Sequence, residues 1–505
     1  MNQIKIIIGL MLFPCFLFSQ IRIKQNMEIR VLEEGEMRVT GDADVEFATS
    51  YIFLDGNLSI SGDLTNAATA SNFVIESDAS NTGSLIVEGN ATGDIRVERY
   101  LSPSTWHFLS ASVSGATTGD FYFNGNPDVY ASYWDEPNSA WPYLTGTNEA
   151  LPLGIGYKIW VAEAKSAVTA EMDGSIRTSD LSVNLTKNVS GWNLIGNPFS
   201  SEINTNLGDW GDNTSGSFYV WDSTYNGGDY RVWSGLAGDL TNGIIPISQS
   251  FFVYAENAGA YNIPKAAQTH GGDEFYKNRD QNKFIRLQLD GNGFGNTLFI
   301  GFPENGTNGI DYKGDAYKIY SNGETSQLYA QQAGEKLCIN ANKPLAEEML
   351  SIPLYIDQVV NGEYSLTMSK GENLPGVQIM LKDLKTGAQQ DLKKYPTYHY
   401  NASENDNLQR FKITFQQNAY GFEEEEIIED LIEMYYANGS ICITSKGYAE
   451  FMSGELHIFN LLGQEIYFQQ IAKGELVRIP VKSDQKYIVA QLIKGDLHKI
   501  KKFKL

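Results

Sequence analysis

Residues 106–110 (WHFLS) recur in altered form as residues 192–196 (WNLIG), 86 positions further along the chain. Two further pairs follow in the same order: residues 133–135 (YWD) with 220–222 (VWD), and residues 157–161 (YKIWV) with 251–255 (FFVYA). Motifs that recur in a fixed order indicate an internal duplication. We therefore predict two related β-units, at about residues 101–180 and 187–268, with loop insertions in the second.

The tryptophans are concentrated in this duplicated region, because all eight lie between Trp106 and Trp233. Large aromatic side chains either stabilise a core or form a binding face. Alternating strand patterns predict core positions for Trp106, Trp134, Trp192 and Trp221. Neighbouring Gly, Pro, Asp and Ser residues predict exposure for Trp141, Trp210 and Trp233. These last three are the candidate ligand-binding residues, as a platform for carbohydrate.

The regions on either side also read as β structure. Residues 21–100 alternate between apolar and polar positions in short runs, as in residues 57–61 (NLSIS), and predict a stack of β-rungs or a meander. Strand spacing predicts a β-sandwich over residues 283–418, after a polar linker at 269–282.

The C-terminal part differs in charge from the rest of the chain. An acidic run that includes residues 423–426 (EEEE) predicts a solvated linker at 419–433. Residues 434–505 then hold ten Lys or Arg against six Asp or Glu and predict a separate small β-sandwich. The predicted fold class is therefore all-β and multidomain, with several small β-sandwich modules in series.

Composition excludes several classes of protein. The chain has 505 residues and a formal net charge of −23, which argues against a nucleic-acid partner. Three cysteines and five histidines are too few for a disulfide scaffold or a His-rich metal centre. Cys338 and Cys442 are predicted to be buried free thiols, with a disulfide between them as the alternative.

The first twenty residues predict a secretory signal peptide. Lys5 precedes an apolar run at residues 6–18, and a small residue, Ser19, follows. Cys15 raises the alternative of a lipoprotein, but residues 12–14 (LFP) are not the small residues that lipidation requires. No other apolar run approaches the roughly 20 residues of a transmembrane helix, so no membrane span is predicted.

Familiar catalytic motifs do not occur in the sequence. It contains no Gly-x-Ser-x-Gly, His-Glu-x-x-His, phosphate loop or Cys-x-x-Cys. Residues 290–293 (DGNG) begin like a calcium loop, but Phe294 stands at the next ligand position, so a hairpin turn is predicted. No cofactor and no catalytic residue are predicted, although the acidic surface could bind Ca²⁺ weakly. Paired carboxylates of a polysaccharide hydrolase remain an alternative.

Three segments of the tail have a pattern in common with a known family: residues 457–465 (HIFNLLGQE), 487–489 (YIV) and 499–505 (KIKKFKL). The tail resembles the type A C-terminal sorting domain of the type IX secretion system of Bacteroidetes. The resemblance implies that the sorting signal includes Gly463, Tyr487, Lys501 and Lys502.

The same resemblance implies a route and a class of function. The secretion machinery would carry the protein from the periplasm across the outer membrane. The part of the chain that precedes the tail, called the passenger, would then be attached to surface lipopolysaccharide or released. Residues 193–199 (NLIGNPF), and 383–384 with 410–411, resemble β-modules that recur in large secreted Bacteroidetes proteins. We expect a secreted or cell-surface protein without enzymatic activity, with an adhesive or structural role. The alternative is a carbohydrate-binding protein of a glycan-capture system.

Overall fold

A computed structural model gives the architecture of the chain. It describes residues 5–8, 15–18, 20–121, 129–161, 167–271, 283–321, 325–346, 349–372, 374–417, 432–437, 440–445, 454–471, 476–480, 487–494 and 497–504. The described part is about 54% strand, and none of its helices has seven or more residues. The predicted all-β, multidomain class is therefore confirmed.

The N-terminal region is a parallel β-solenoid. Its strands are β1 (Lys5–Ile8), β2 (Cys15–Phe18), β3 (Ile21–Ile23), β4 (Glu28–Val31), β5 (Glu36–Val39), β6 (Ala43–Val45), β7 (Tyr51–Leu54), β8 (Asn57–Ile60), β9 (Leu64–Asn66), β10 (Phe73–Ile75), β11 (Ser84–Val87), β12 (Ala91–Thr92) and β13 (Ile95–Leu101). They form three sheets, β1-β4-β7-β10-β13, β2-β5-β8-β11 and β3-β6-β9-β12, in which the neighbours are parallel. Of the two predicted arrangements, the rung stack is therefore the correct one.

Alternation in the sequence produces this solenoid because each coil buries the same positions. Strands β4, β7 and β8 each have every second residue buried. Ile29 pairs with Ile52 in the next coil, and both are at most 2% exposed. Strands β1 and β2 belong to the predicted leader, and their backbones pair with β4 and β5 in the first coil.

The duplicated region contains strands β14 to β26. They are β14 (Thr105–Ser110), β15 (Val129–Tyr133), β16 (Gly156–Val161), β17 (Val168–Gly174), β18 (Leu181–Leu185), β19 (Trp192–Gly196), β20 (Glu202–Asn204), β21 (Phe218–Asp222), β22 (Asp229–Trp233), β23 (Ile244–Ile245), β24 (Ser250–Tyr254), β25 (Gly259–Ile263) and β26 (Gln268–Thr269). Short 3₁₀ turns occur at Ala70–Asn72, Thr118–Asp120, Glu136–Asn138, Tyr225–Gly227, Thr241–Gly243 and Lys265–Ala267.

The next region supplies β27 to β37. They are β27 (Phe284–Gly291), β28 (Phe294–Gly301), β29 (Ala316–Tyr317), β30 (Gln327–Gln332), β31 (Glu335–Ala341), β32 (Leu350–Asp357), β33 (Gly362–Glu372), β34 (Val377–Asp383), β35 (Gln389–Asp391), β36 (Thr397–Ala402) and β37 (Phe411–Gln417). They join as one eleven-stranded array. Asn292 and Gly293 turn the chain between β27 and β28 with positive φ angles of 54° and 81°. The predicted hairpin is thus confirmed, since such a two-residue turn requires positive φ.

The tail forms its own small two-sheet structure. Its strands are β38 (Ile432–Ala437), β39 (Ser440–Ser445), β40 (Gly454–Phe459), β41 (Glu465–Ile471), β42 (Leu476–Pro480), β43 (Tyr487–Lys494) and β44 (Leu497–Lys504). The sheets are β38-β39-β42 and β41-β40-β43-β44. Met434, Ile441, Leu456, Ile458 and Ile488 are among the residues of their shared core.

Contacts divide the chain into two compact units. The first comprises Met1–Pro344, Ser351–Asn373 and Met380–Ile413, and the second comprises Leu345–Leu350, Leu374–Ile379 and Thr414–Leu505. The modules of the first unit are not independent, because one apolar core runs from the solenoid into the first repeat. Cys338 and Cys442 are buried free thiols, as predicted. No helix of the described residues is long and apolar enough to cross a bilayer.

Two predicted boundaries differ from the observed structure. The first repeat begins inside the solenoid, since residue 101 is the last residue of β13, which also belongs to a solenoid sheet. The predicted linker at 269–282 begins inside β26, so its first residue belongs to a strand. The next residue, His270, contacts the hydroxyls of Ser59 and Ser84, each 2.8 Å from a nitrogen of its ring. Residues 272–282, and most of the acidic linker at 419–433, lie outside the described residues.

Candidate functional site

The two repeats have the same strand topology. The order β14-β16-β15 in the first repeat matches β19-β24-β21 in the second. The first and last strands of each repeat also pair with each other, β13 with β17 and β18 with β25, antiparallel in both cases. The second repeat differs by the insertion of β20, β22 and β23.

The repeats meet edge to edge around an approximate two-fold axis. The amide of Ser110 donates to Ser248 O at 3.0 Å, and the equivalent amide of Gly196 donates to Gly154 O at 3.1 Å. Close packing requires the glycine, because a Cβ atom on Gly196 would stand 2.1 Å from the Ser110 Cβ. A main-chain approach of this kind is a common reason for glycine inside a strand.

Tryptophans exchange hydrogen bonds across the same axis. The indole N–H of Trp134, in the first repeat, donates to the carbonyl of Trp192 at 2.7 Å. The indole of its counterpart, Trp221, donates to the carbonyl of Trp106 at 3.2 Å. These four residues were predicted as core positions of two related sheets packed together, and each is only partly buried. They join the two repeats, because the indole N–H groups of Trp134 and Trp221 donate to main-chain carbonyls of the other copy.

A buried carboxylate of the first repeat also contacts the second repeat, just before Trp192. Glu136 follows β15 and is only 2% exposed. Its carboxylate accepts the backbone amides of Asn188, Val189, Ser190 and Gly191, at 2.8–3.1 Å. Burial alone would raise the pKa of Glu136, but the amide donors outweigh it and lower the pKa to about 2.

The second repeat has a cavity instead of a carboxylate. Alignment of the repeats places Ser223 opposite Glu136, one position after the equivalent aspartates. Ser223 lines a cavity of about 480 Å³. Its aromatic wall consists of Trp106, His107, Phe108 and Trp221.

Four charged side chains line this cavity, which we call the repeat cavity: Arg99, Glu202, Asp222 and Arg231. The Arg99 Nε atom is buried and has no hydrogen-bond partner among the described residues. Burial raises the pKa of Glu202, and the charge of Arg99 opposes this rise. Asp222 is fully engaged, since one oxygen accepts Arg231 Nε at 2.7 Å and the other accepts the Thr224 amide at 2.8 Å.

A second cavity, of about 430 Å³, lies beside Trp233, Phe284 and Phe299. Arg286 lines it but is already paired. Its Nε atom is 3.0 Å from Asp239 Oδ1, and its Nη1 atom donates to Ser369 Oγ at 2.9 Å. This cavity therefore offers fewer free donors than the repeat cavity.

The three tryptophans of the predicted aromatic platform differ in their exposure. Trp210, predicted to be exposed, is 4% exposed; it packs on Phe218 with ring centroids 5.0 Å apart and donates to Leu207 O. Trp141 is half-buried and packs against Phe108 and Trp134. Trp233 is half-buried as well. Of these three tryptophans, it is the one that lines a cavity described above, the second cavity beside Phe284 and Phe299. Exposure was wrongly predicted for Trp210, because turn residues nearby in sequence do not show what packs over a side chain from elsewhere in the chain.

The residues of the tail motif lie largely on one hairpin. Tyr487 begins β43, and Lys501 and Lys502 belong to its partner β44. The Lys502 Nζ atom stands 5.1 Å from the centre of the Tyr487 ring, and Lys501 Nζ donates to Met434 O at 2.7 Å. Gly463 turns the chain between β40 and β41 at φ 80°, which favours glycine.

Comparison with known proteins places most of the chain in a family. A family model described as a domain of unknown function (DUF8693) matches residues 20–415. The chain belongs to this family. The DUF8693 match covers solenoid strands β3 to β13, both repeats and the eleven-stranded array except the last two residues of β37, and it ends before the tail. No curated protein matches the chain.

Sequence reasoning did not find the residues of the repeat cavity, which include Arg99, Glu202 and Arg231. The sequence did contain one signal. When the repeats are aligned, Glu136 of the first repeat stands opposite Ser223 of the second, so the second repeat lacks a carboxylate at this position. Among the described residues, no group of three or more His, Cys, Asp or Glu is arranged to hold a metal ion.

Proposed function

We propose that the chain is an exported surface protein whose tail directs type IX secretion and whose DUF8693 region is a non-enzymatic passenger with an adhesive or structural role. The extent of the family match is the main support. It begins at residue 20, the last residue of the predicted signal peptide, and ends at residue 415, before the acidic run. All but the last residue of the predicted leader, and the whole tail, thus lie outside the family match.

The fold of the tail gives further support. Its described strands enclose their own apolar core, so the passenger does not need the tail to complete its own core. The motif residues are placed where another protein can reach them, since Gly463, Lys501 and Lys502 are exposed. We propose that the protein passes through the periplasm and is then attached to surface lipopolysaccharide or released.

Deletion of residues 434–505 tests the proposal. We expect the truncated protein to fold and to remain in the periplasm, protected from protease added to intact cells. The comparison is the full-length protein expressed at the same level in the same strain. Wild-type amounts of truncated protein at the surface would contradict the sorting role.

Carbohydrate binding is the second candidate function, and the repeat cavity favours it. Sugars are commonly held by aromatic side chains together with a few well-placed polar groups. The repeat cavity combines Trp106 and Trp221 with arginine and carboxylate side chains.

A further inference from the structure

Comparison of the two repeats indicates what the repeat cavity holds. In one half, the Glu136 carboxylate is buried and accepts four backbone amides. In the other half the counterpart of Glu136 is Ser223, and a cavity of about 480 Å³ lies beside it. The carboxylate of the first repeat thus has no counterpart in the second, and Ser223 is part of a cavity lining instead.

The donors in the repeat cavity suit an anion. Arg99 donates to Thr82 Oγ1 at 3.2 Å through Nη1, whereas its buried Nε atom has no partner among the described residues. A buried donor without a partner is costly, and a ligand oxygen would remove that cost. Arg231 also lines the cavity, and only its Nε atom is bound by Asp222. Guanidinium groups bind carboxylates with two parallel hydrogen bonds.

The carboxylates that line the repeat cavity do not cancel its preference for an anionic ligand. Both oxygens of Asp222 are already occupied. Burial raises the pKa of Glu202, and the charge of Arg99 opposes this rise. The donors that remain free in the site belong to the two arginines.

The remaining wall of the cavity suits a ring. Trp106, Phe108 and Trp221 provide apolar surface, and the volume lies within the roughly 300–1,000 Å³ typical of small-molecule sites. We propose that the repeat cavity binds a hexuronic acid unit of an acidic polysaccharide, with the sugar carboxylate on Arg99 and Arg231 and the ring against the tryptophans. This inference rests on the proposed function, because an exported protein meets such polysaccharides outside the cell.

Calorimetric titration of the full-length mature protein with oligogalacturonate tests the inference, with the neutral galactose oligomer of equal length as the comparison. We expect binding of the acidic oligomer and at least tenfold weaker binding of the neutral one. Arg99→Gln should weaken binding of the acidic oligomer at least tenfold. The matched control is Arg38→Gln, at a solenoid arginine whose side chain is 51% exposed, and it should leave binding unchanged.

A second variant tests the site without removing a buried charge. Ser223→Glu adds a larger, negatively charged side chain to the cavity lining, so it should abolish binding of the acidic oligomer while the melting temperature falls by no more than a few degrees. Failure of the wild-type protein to bind the acidic oligomer would overturn the inference, and so would binding that persists in Ser223→Glu. Equal affinity for the neutral oligomer would overturn the role of the carboxylate. Surface exposure of the protein is measured separately, so a surface protein that does not bind refutes only this inference.

Discussion

Replacing Arg410 by methionine is expected to lower the free energy of unfolding by about 3–5 kcal/mol, because it leaves a buried charge without its partner. Arg410 and Asp383 have side chains that are 6% and 0% exposed, and Nη2 of the arginine lies 2.8 Å from the carboxylate. The guanidinium also lies 4.5 Å from the centre of the Tyr400 ring. Denaturant unfolding of the full-length protein measures the loss.

Two controls separate loss of charge pairing from loss of packing. Adding Asp383→Asn to Arg410→Met removes the carboxylate that is left unpaired, since the second partner of Arg410, Asp406, keeps Lys385 at 2.6 Å. The double variant should restore at least half of the lost stability. Lys385→Met removes an exposed partner of Asp406 and should cost less than about 1 kcal/mol. If the double variant were no more stable than Arg410→Met alone, the buried charge would not be the cause.

Replacing Glu136 by glutamine is expected to cost about 2–3 kcal/mol at pH 7, because charged hydrogen bonds to several buried amides are lost or weakened. The pKa of about 2 in the folded protein lies below the ordinary value of 4.5. The carboxylate therefore stabilises the fold fully above about pH 4.5 and loses this contribution as the pH falls towards 2. The difference in unfolding free energy between wild type and variant should shrink over the same range.

The matched control for Glu136 is Glu404→Gln, at an exposed position in the same unit. It should change stability by no more than about 0.5 kcal/mol at pH 7. A constant difference between wild type and Glu136→Gln from pH 7 to pH 2 would show that the carboxylate is not held in its charged form.

Much of the fold could be predicted because it depends on local patterns. Alternation at residues 57–60 predicts a strand with one buried face, and the structure places Leu58 and Ile60 in the core. Whether the strands run parallel could not be predicted, since a meander and a solenoid share the same alternation. Pairing between Ile29 and Ile52 depends on the path of the whole coil.

The candidate site was harder to predict because it depends on contacts between distant residues. Recurrent tryptophans reveal the duplication, but not that Trp134 donates to Trp192 across 58 positions of sequence. Arg99 belongs to the last solenoid strand, and it lines a cavity with Arg231 only because the second repeat folds back on the first. The sequence does show where the two repeats differ at an equivalent position, as at Glu136 and Ser223, and such a difference can indicate where the two repeats differ in their contacts.

We propose that the tail directs passage across the outer membrane, and a fusion protein tests this proposal most directly. Residues 1–20 and 434–505 are attached to the two ends of a monomeric reporter that otherwise stays in the periplasm, and protease is added to intact cells of the native host. We predict that the reporter appears at the cell surface or in the medium. A reporter that stays fully protected in the periplasm, in cells that export the native protein, would contradict the account.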